Sequence, residues 1–136
     1  MARRILLIED ETSALDALSS LLAEDGYTVC TATTGRAGLE RLRDFRPDTV
    51  VCDFYLPDID GLQVLRRTRA TAQTPVVFIL ITAGCGGVES EAALRREADF
   101  FFQKPLDLAR FRRVLRHYAP AGGSPPVSFA LGSAQP

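Results

Sequence analysis

The chain has 136 residues, 46% of them hydrophobic and 24% charged, with a formal net charge of −1. That is the material of one globular domain with a real core, and it supplies no global field to draw in nucleic acid or a membrane surface. No apolar run approaches the roughly 18 residues of a membrane span, and Met1-Ala2-Arg3-Arg4 leads only into Ile5–Ile8 before Glu9, too short for a signal peptide, so a cytoplasmic protein is expected.

An apolar strand β1 is predicted over residues 4–9, running into Glu9-Asp10. Helix α1 follows over 12–25, with Leu15, Leu18 and Leu22 on one face, Thr12 or Ser13 as its cap and Gly26 as its stop. Strand β2 is predicted over 27–31 and helix α2 over 36–45, ended by Pro47. Strand β3 is the short run Thr49–Cys52 closing on Asp53, and the turn residues Pro57 and Gly61 lead into α3 with Leu62 and Leu65 facing inward. The most apolar run, 76–81, is β4 and ends in Thr82-Ala83. A loop, Gly84-Cys85-Gly86-Gly87, precedes a helix α4 near 88–97 with a thin apolar face, Val88, Ala92, Ala93 and Leu94. Strand β5 spans about 99–103 and delivers Lys104-Pro105, after which Asp107 caps α5 with its stripe Leu108, Phe111, Leu115 and Tyr118.

Five strands alternating with five helices predict an α/β fold, a doubly wound parallel sheet with helices on both faces. In the flavodoxin-like order 2-1-3-4-5, the strand ends at 9–10, 53, 82 and 104 share one edge, and β1 and β3 flank the switch point where such sheets bind ligands. Residues 119–136 carry no charge and are dominated by Pro, Gly, Ser and Ala, so they read as a flexible tail or linker stub after a domain of residues 1–118. Val127, Phe129 and Leu131 alternate within it, which allows a short added strand or docking segment. The three cysteines, Cys30, Cys52 and Cys85, lack metal-ligand spacing and read as reduced thiols, the first two as small core residues.

Glu9, Asp10 and Asp53 converge on that edge. Two carboxylates about 4 Å apart repel by roughly 4 kcal/mol at an effective dielectric near 20, so a metal, a raised pKa or a lysine must offset them. An oxygen-only donor set suits Mg²⁺. Lys104 is the single lysine beside fifteen arginines, a compact point charge where the chain otherwise uses planar forks. With Thr82 as a hydroxyl donor, the group suits a phosphoryl bound to a carboxylate, with Asp53 as nucleophile.

Residues 4–118 resemble the receiver domain of two-component response regulators, the CheY-like fold. The matches are Glu9-Asp10 after β1, Asp53 followed by Leu56-Pro57-Asp58-Ile59-Asp60-Gly61, Thr82-Ala83 after β4 and Lys104-Pro105 after β5. The resemblance implies a signalling switch rather than an enzyme. Asp53 would accept a phosphoryl group from a sensor histidine kinase or phosphotransfer protein. Glu9, Asp10, Asp53 and the Tyr55 carbonyl would bind Mg²⁺. Thr82 and the Ala83 amide would contact phosphoryl oxygens, Lys104 would pair with the group, and the bond to Pro105 would be cis. Phe101 would be the switch aromatic, rotating inward as Thr82 moves toward the phosphate. The α4–β5–α5 face would carry the output and a possible homodimer, with interface tests at Arg112 or Phe100. No direct nucleic-acid binding and no membrane association is expected.

The sequence departs from the family in places: Glu9 replaces the commoner Asp, Glu97 stands where Gly usually precedes β5, and Tyr55 and Gly84 flank the phosphate path. The consecutive Phe100, Phe101 and Phe102 put one alternate set on a partly exposed face. A pseudo-receiver that keeps the fold without phosphorylation is the second reading. A haloacid-dehalogenase-type phosphatase is disfavoured by Tyr55 where that family has an aspartate, and a dinucleotide site lacks its Gly-x-Gly-x-x-Gly after β1.

Overall fold

Strands covered on both faces must be apolar on both faces, and this chain supplies such runs at regular intervals. In the computed structural model, which describes residues 3–84 and 88–118 (88–90 by their backbone), they form β1 (Arg4–Ile8), β2 (Thr28–Ala32), β3 (Thr49–Asp53), β4 (Val77–Thr82) and β5 (Phe100–Gln103). All pair in parallel in the order β2-β1-β3-β4-β5, as the sequence pattern predicts. The helices are α1 (Thr12–Glu24), α2 (Gly35–Phe45), α3 (Gly61–Thr71), α4 (Val88–Glu97) and α5 (Leu108–His117). The expectations for the 119–136 segment, for Gly84–Gly87 beyond Gly84 and for the Val88 side chain lie outside the described residues.

Period-two alternation splits the core in two. Leu6, Ile8, Val50, Phe78, Leu80 and Phe101 face α2, α3 and α4, meeting Leu42, Leu65 and Leu94. Ile5, Leu7, Val51, Ile79, Phe100 and Phe102 face α1 and α5, meeting Leu22, Phe111 and Leu115. The expected exposed phenylalanine face is therefore wrong: Phe100, Phe101 and Phe102 are 1%, 2% and 4% exposed. Both faces of β5 are roofed, one by Leu94 and the other by Phe111, whose ring meets Phe102 edge-on at 5.8 Å.

Helix starts follow side-chain capping. Thr34 accepts from the Ala37 N–H, Asp60 from Gln63 and Asp107 from Arg110. At α1 the cap is Glu11 rather than Thr12 or Ser13; its longer carboxylate accepts from the Ser13 and Ala14 N–H groups at 3.3 and 2.7 Å. Glu97 closes α4 without a left-handed backbone and pairs bidentately with Arg66 at 2.9 and 2.7 Å, so the missing glycine costs the turn nothing visible.

Arg46, the C-cap of α2, is the described non-glycine residue with a left-handed backbone, at φ 53°. A Cβ costs about 1–2 kcal/mol in that region, more than the entropy glycine loses there. Arg46→Gly is therefore expected to stabilise the fold by about 0.5–1 kcal/mol, read as a higher denaturant midpoint at unchanged slope.

Candidate functional site

The backbone ladder carries the four strand ends to one edge. The Glu9 N–H bonds to Ala32 O, Phe54 N–H to Ile81 O and Lys104 N–H to Thr82 O, so pairing extends to the residues that flank or form the site. Gly61 allows the β3–α3 loop to fold back on Asp53: a Cβ there would sit 2.8 Å from Asp53 O and Phe54 Cα, both backbone atoms that cannot yield. The same loop is anchored by Asp58, for which the sequence reading offered no separate role. Its carboxylate accepts from Gly35, Arg36 and Ile59 N–H at 2.9, 2.9 and 2.8 Å. Desolvation opposes its charge, but those three backbone donors outweigh it and hold the carboxyl below its usual value.

Asp53 is 6% exposed, and Glu9 is buried beside it. Lys104 Nζ bridges them, 3.0 Å from Asp53 Oδ2 and 3.3 Å from Glu9 Oε1. Glu9 Oε2 accepts from the Glu11 N–H at 3.1 Å, and Asp53 Oδ1 from the Tyr55 N–H at 3.4 Å. Asp10 is exposed, yet one carboxylate oxygen each from Glu9, Asp10 and Asp53 lie within 4.8 Å of one another. Three carboxylates against one ammonium leave a formal charge of −2 on an all-oxygen donor set, which fits a hard divalent cation.

Burial raises the Glu9 pKa above 4.5, and the Asp53 charge adds to the rise, while the Glu11 N–H and Lys104 partly counter it. For Lys104, desolvation pulls down, but the hydrogen bond and charge of Asp53, joined by Glu9, win and hold the ammonium above its usual value. A raised carboxyl pKa favours the folded state when protonated: that contribution is complete below the unfolded pKa and is lost as pH rises through the folded one. In chelating buffer, Glu9→Gln is therefore expected to raise the thermal midpoint at neutral pH and to lose that advantage below pH 4.5, where wild-type Glu9 is protonated. Parallel melts across pH check it; an advantage independent of pH would sink the explanation.

The remaining sequence candidates divide. Tyr55 lies beside Asp53, 49% exposed, its ring edge-on to Phe54 at 4.8 Å. Ala83 is exposed at the end of β4, and the Lys104–Pro105 bond is cis. Thr82 is fully buried, and its hydroxyl donates to Gly84 O at 2.7 Å, so it is tied into its own loop rather than joined to the carboxylates. Phe101 is already inward, with the Arg95 guanidinium 4.6 Å over its ring and Arg95 held by Glu91 at 2.9 Å. Phe101 is thus inward while the Thr82 hydroxyl is still held by Gly84 O. The interface probes named from sequence also fall elsewhere: Phe100 is core, and Arg112 is spent on Asp25 at 2.7 Å on the α1 side. Cys52, beneath Asp53, is fully buried; desolvation, with Asp53 and Glu9 adding, drives its thiol far up and keeps it protonated.

The family model described as the response regulator receiver domain matches residues 5–116. The chain belongs to the response regulator receiver family. The transcriptional regulatory protein AfsQ1 of Streptomyces coelicolor is 44% identical over 117 residues, covering 82% of this chain and 51% of AfsQ1. Response regulator MprA of Mycolicibacterium vanbaalenii is 36% identical over the whole chain and 62% of its own length. The receiver thus spans between about half and three fifths of these relatives. Among solved structures, response regulator protein TrrA of Thermotoga maritima, in complex with Mg(2+)-BeF, superposes with a TM-score of 0.73 at 27% identity, over 84% of this receiver and 96% of that chain. A CheY-like receiver from Methanospirillum hungatei gives 0.77 at 24% identity, over 85% and 92%, and supports the fold alone. Receiver domains are in general not classical enzymes but signalling partners of sensor kinases, and some dimerise. No helix among the described residues is long and apolar enough to cross a membrane.

Proposed function

We propose that Asp53 of this receiver accepts a phosphoryl group from a phosphohistidine on a sensor histidine kinase or phosphotransfer protein, and that the change is read at the α4–β5–α5 face by an output unit or a second receiver. The observation that carries this is the Lys104 ammonium bridging Asp53 and Glu9 inside an acidic cluster. An Asp53 carboxylate oxygen forms the new P–O bond while the donor P–N bond breaks and the imidazole leaves with its electron pair. Lys104 needs to move little to pair with a phosphoryl oxygen in place of Asp53 Oδ2. Thr82 must surrender Gly84 O before its hydroxyl can reach the phosphoryl, and the Ala83 amide is its neighbour on the same strand end.

Glu9, Asp10, Asp53 and the Tyr55 carbonyl would hold Mg²⁺, in keeping with the Mg(2+)-BeF complex of TrrA. When bound, the cation supplies the positive charge that offsets the equatorial oxygens during transfer. A groove of about 350 Å³ opens beside Lys104 between α1 and the β5–α5 turn, lined by Leu15, Leu18, Leu106 and the 46% exposed Leu108. That apolar surface favours a protein donor over a small molecule alone. Residues 1–118 would be the switching unit and 119–136 its linker. AfsQ1, named as a transcriptional regulatory protein, makes DNA-binding output the class of partner inferred.

The test is intact mass after incubation with acetyl phosphate. One phosphoryl adduct is expected with Mg²⁺ and none with chelator. A folded chain that takes no adduct with any divalent metal would be a pseudo-receiver.

A further inference from the structure

The other edge of the sheet holds a second site. The carboxy-terminal ends of α2 and α3, with the segments entering β3 and β4, enclose a cavity of about 450 Å³. Leu42, Pro47 and Val76, all buried, form an apolar floor, and Arg43, Arg46 and Arg67 stand at the rim. No acidic side chain lines it; Glu40 and Asp44 of α2 are not among its walls. Four other helical arginines are paired with carboxylates: Arg36 with Asp58, Arg66 with Glu97, Arg69 with Asp99 and Arg112 with Asp25. The guanidinium groups of Arg43, Arg46 and Arg67 have no carboxylate or carbonyl partner among the described residues.

The two helix ends contribute about −0.5 of a charge each, roughly −1 against three guanidinium groups, so the cavity remains positive. Its volume lies in the range of small-ligand pockets, about 300–1,000 Å³. Guanidinium forks match phosphate oxygens bidentately, and they repel one another until an anion arrives. A phosphate alone would leave the floor uncovered, whereas a planar base would lie on Leu42 and Val76. Thr71 and Thr74 at the same rim, with the carbonyl ends of the helices, suit a ligand that also carries N–H donors. The 119–136 segment contains no Asp or Glu and does not match the charge.

We propose that this α2–α3 cleft binds a nucleoside polyphosphate through Arg43, Arg46 and Arg67, with the base on the Leu42–Val76 floor. The site is independent of Asp53 and of the phosphotransfer reading.

The experiment is fluorescence polarisation of N-methylanthraniloyl-ATP with the full chain in chelating, low-salt buffer. Saturable binding is expected. Arg43→Glu and Arg67→Glu should each weaken it about tenfold or more, the loss of a charge-assisted pair. Arg46→Gly should weaken it without lowering the thermal midpoint, which separates binding from folding. Asp53→Asn should leave it unchanged, and inorganic tripolyphosphate should compete less well than ATP. Absence of saturable binding, binding indifferent to Arg67→Glu, loss in Asp53→Asn, or tripolyphosphate competing as well as ATP would each overturn the proposal.

Discussion

Replacing Asp53 with asparagine is expected to eliminate the phosphoryl adduct formed from acetyl phosphate while leaving the chain folded and somewhat more stable without metal. The amide oxygen carries no negative charge with which to attack phosphorus, though turned toward Lys104 it still accepts from the ammonium. On the stability side two effects compete. The Lys104 ammonium at 3.0 Å attracts Asp53, and Glu9 and Asp10, with oxygens within 4.8 Å, repel it. At an effective dielectric near 20 the attraction is about 5.5 kcal/mol and the two repulsions about 7 kcal/mol together. Solvent around the exposed Asp10 trims the difference, so removing the charge should stabilise by about 1 kcal/mol, a few degrees in thermal midpoint. Intact mass and a melt in chelator read both. An adduct persisting in the variant, mapped to Glu9 or Asp10 by peptide mass, would move the acceptor.

Lys104→Met should act in the opposite sense. It leaves two buried carboxylates and Asp10 with no counter-charge, and breaking one side of a buried pair costs about 3–5 kcal/mol. The Lys104 side chain is 36% exposed, so screening reduces this to about 2 kcal/mol. The loss should show in denaturant unfolding with chelator and be recovered by Mg²⁺, which the variant should bind more tightly because no ammonium competes for Asp53 Oδ2. With the lysine gone, Glu9 loses a partner that lowers its pKa, so the defect should shrink as pH falls through that raised value. Phosphoryl transfer should slow by about 100-fold or more, the scale for losing one charge-stabilising donor. Unfolding that is the same as wild type with and without Mg²⁺ would show that the bridge to Glu9 and Asp53 carries no energy.

The sheet was legible because both-face burial leaves runs such as Val77–Ile81 with little choice of structure, and strand order then places Glu9, Asp53, Thr82 and Lys104 on one edge. What escaped reading depends on three-dimensional choices. Glu11 caps α1 because a two-methylene side chain reaches back, which the preference for Thr or Ser conceals. Whether Phe100 and Phe102 face solvent depends on how closely α5 lies on the sheet, not on alternation. Thr82 can donate to Gly84 or to a phosphoryl oxygen, and a sequence does not state a rotamer. Asp58 was visible as part of a motif, but its three donors come from the start of α2 and its own turn, a pairing set by folding. Arg43 and Arg67 lie on different helices, and only packing makes them neighbours of one cavity.

The inward Phe101 under Arg95 would set a limit on signal range if Phe101 is the switch. If the inward packing is what a downstream reader senses, every resting chain that holds it is output delivered before any input arrives. The largest induction such a receiver can deliver is the reciprocal of that resting fraction, about twofold if half the chains rest this way. On that premise, removing the Arg95 guanidinium from the Phe101 ring, as in Arg95→Ala, is expected to lower the background and widen the range, so that basal leak and dynamic range would be two readings of one stacked pair.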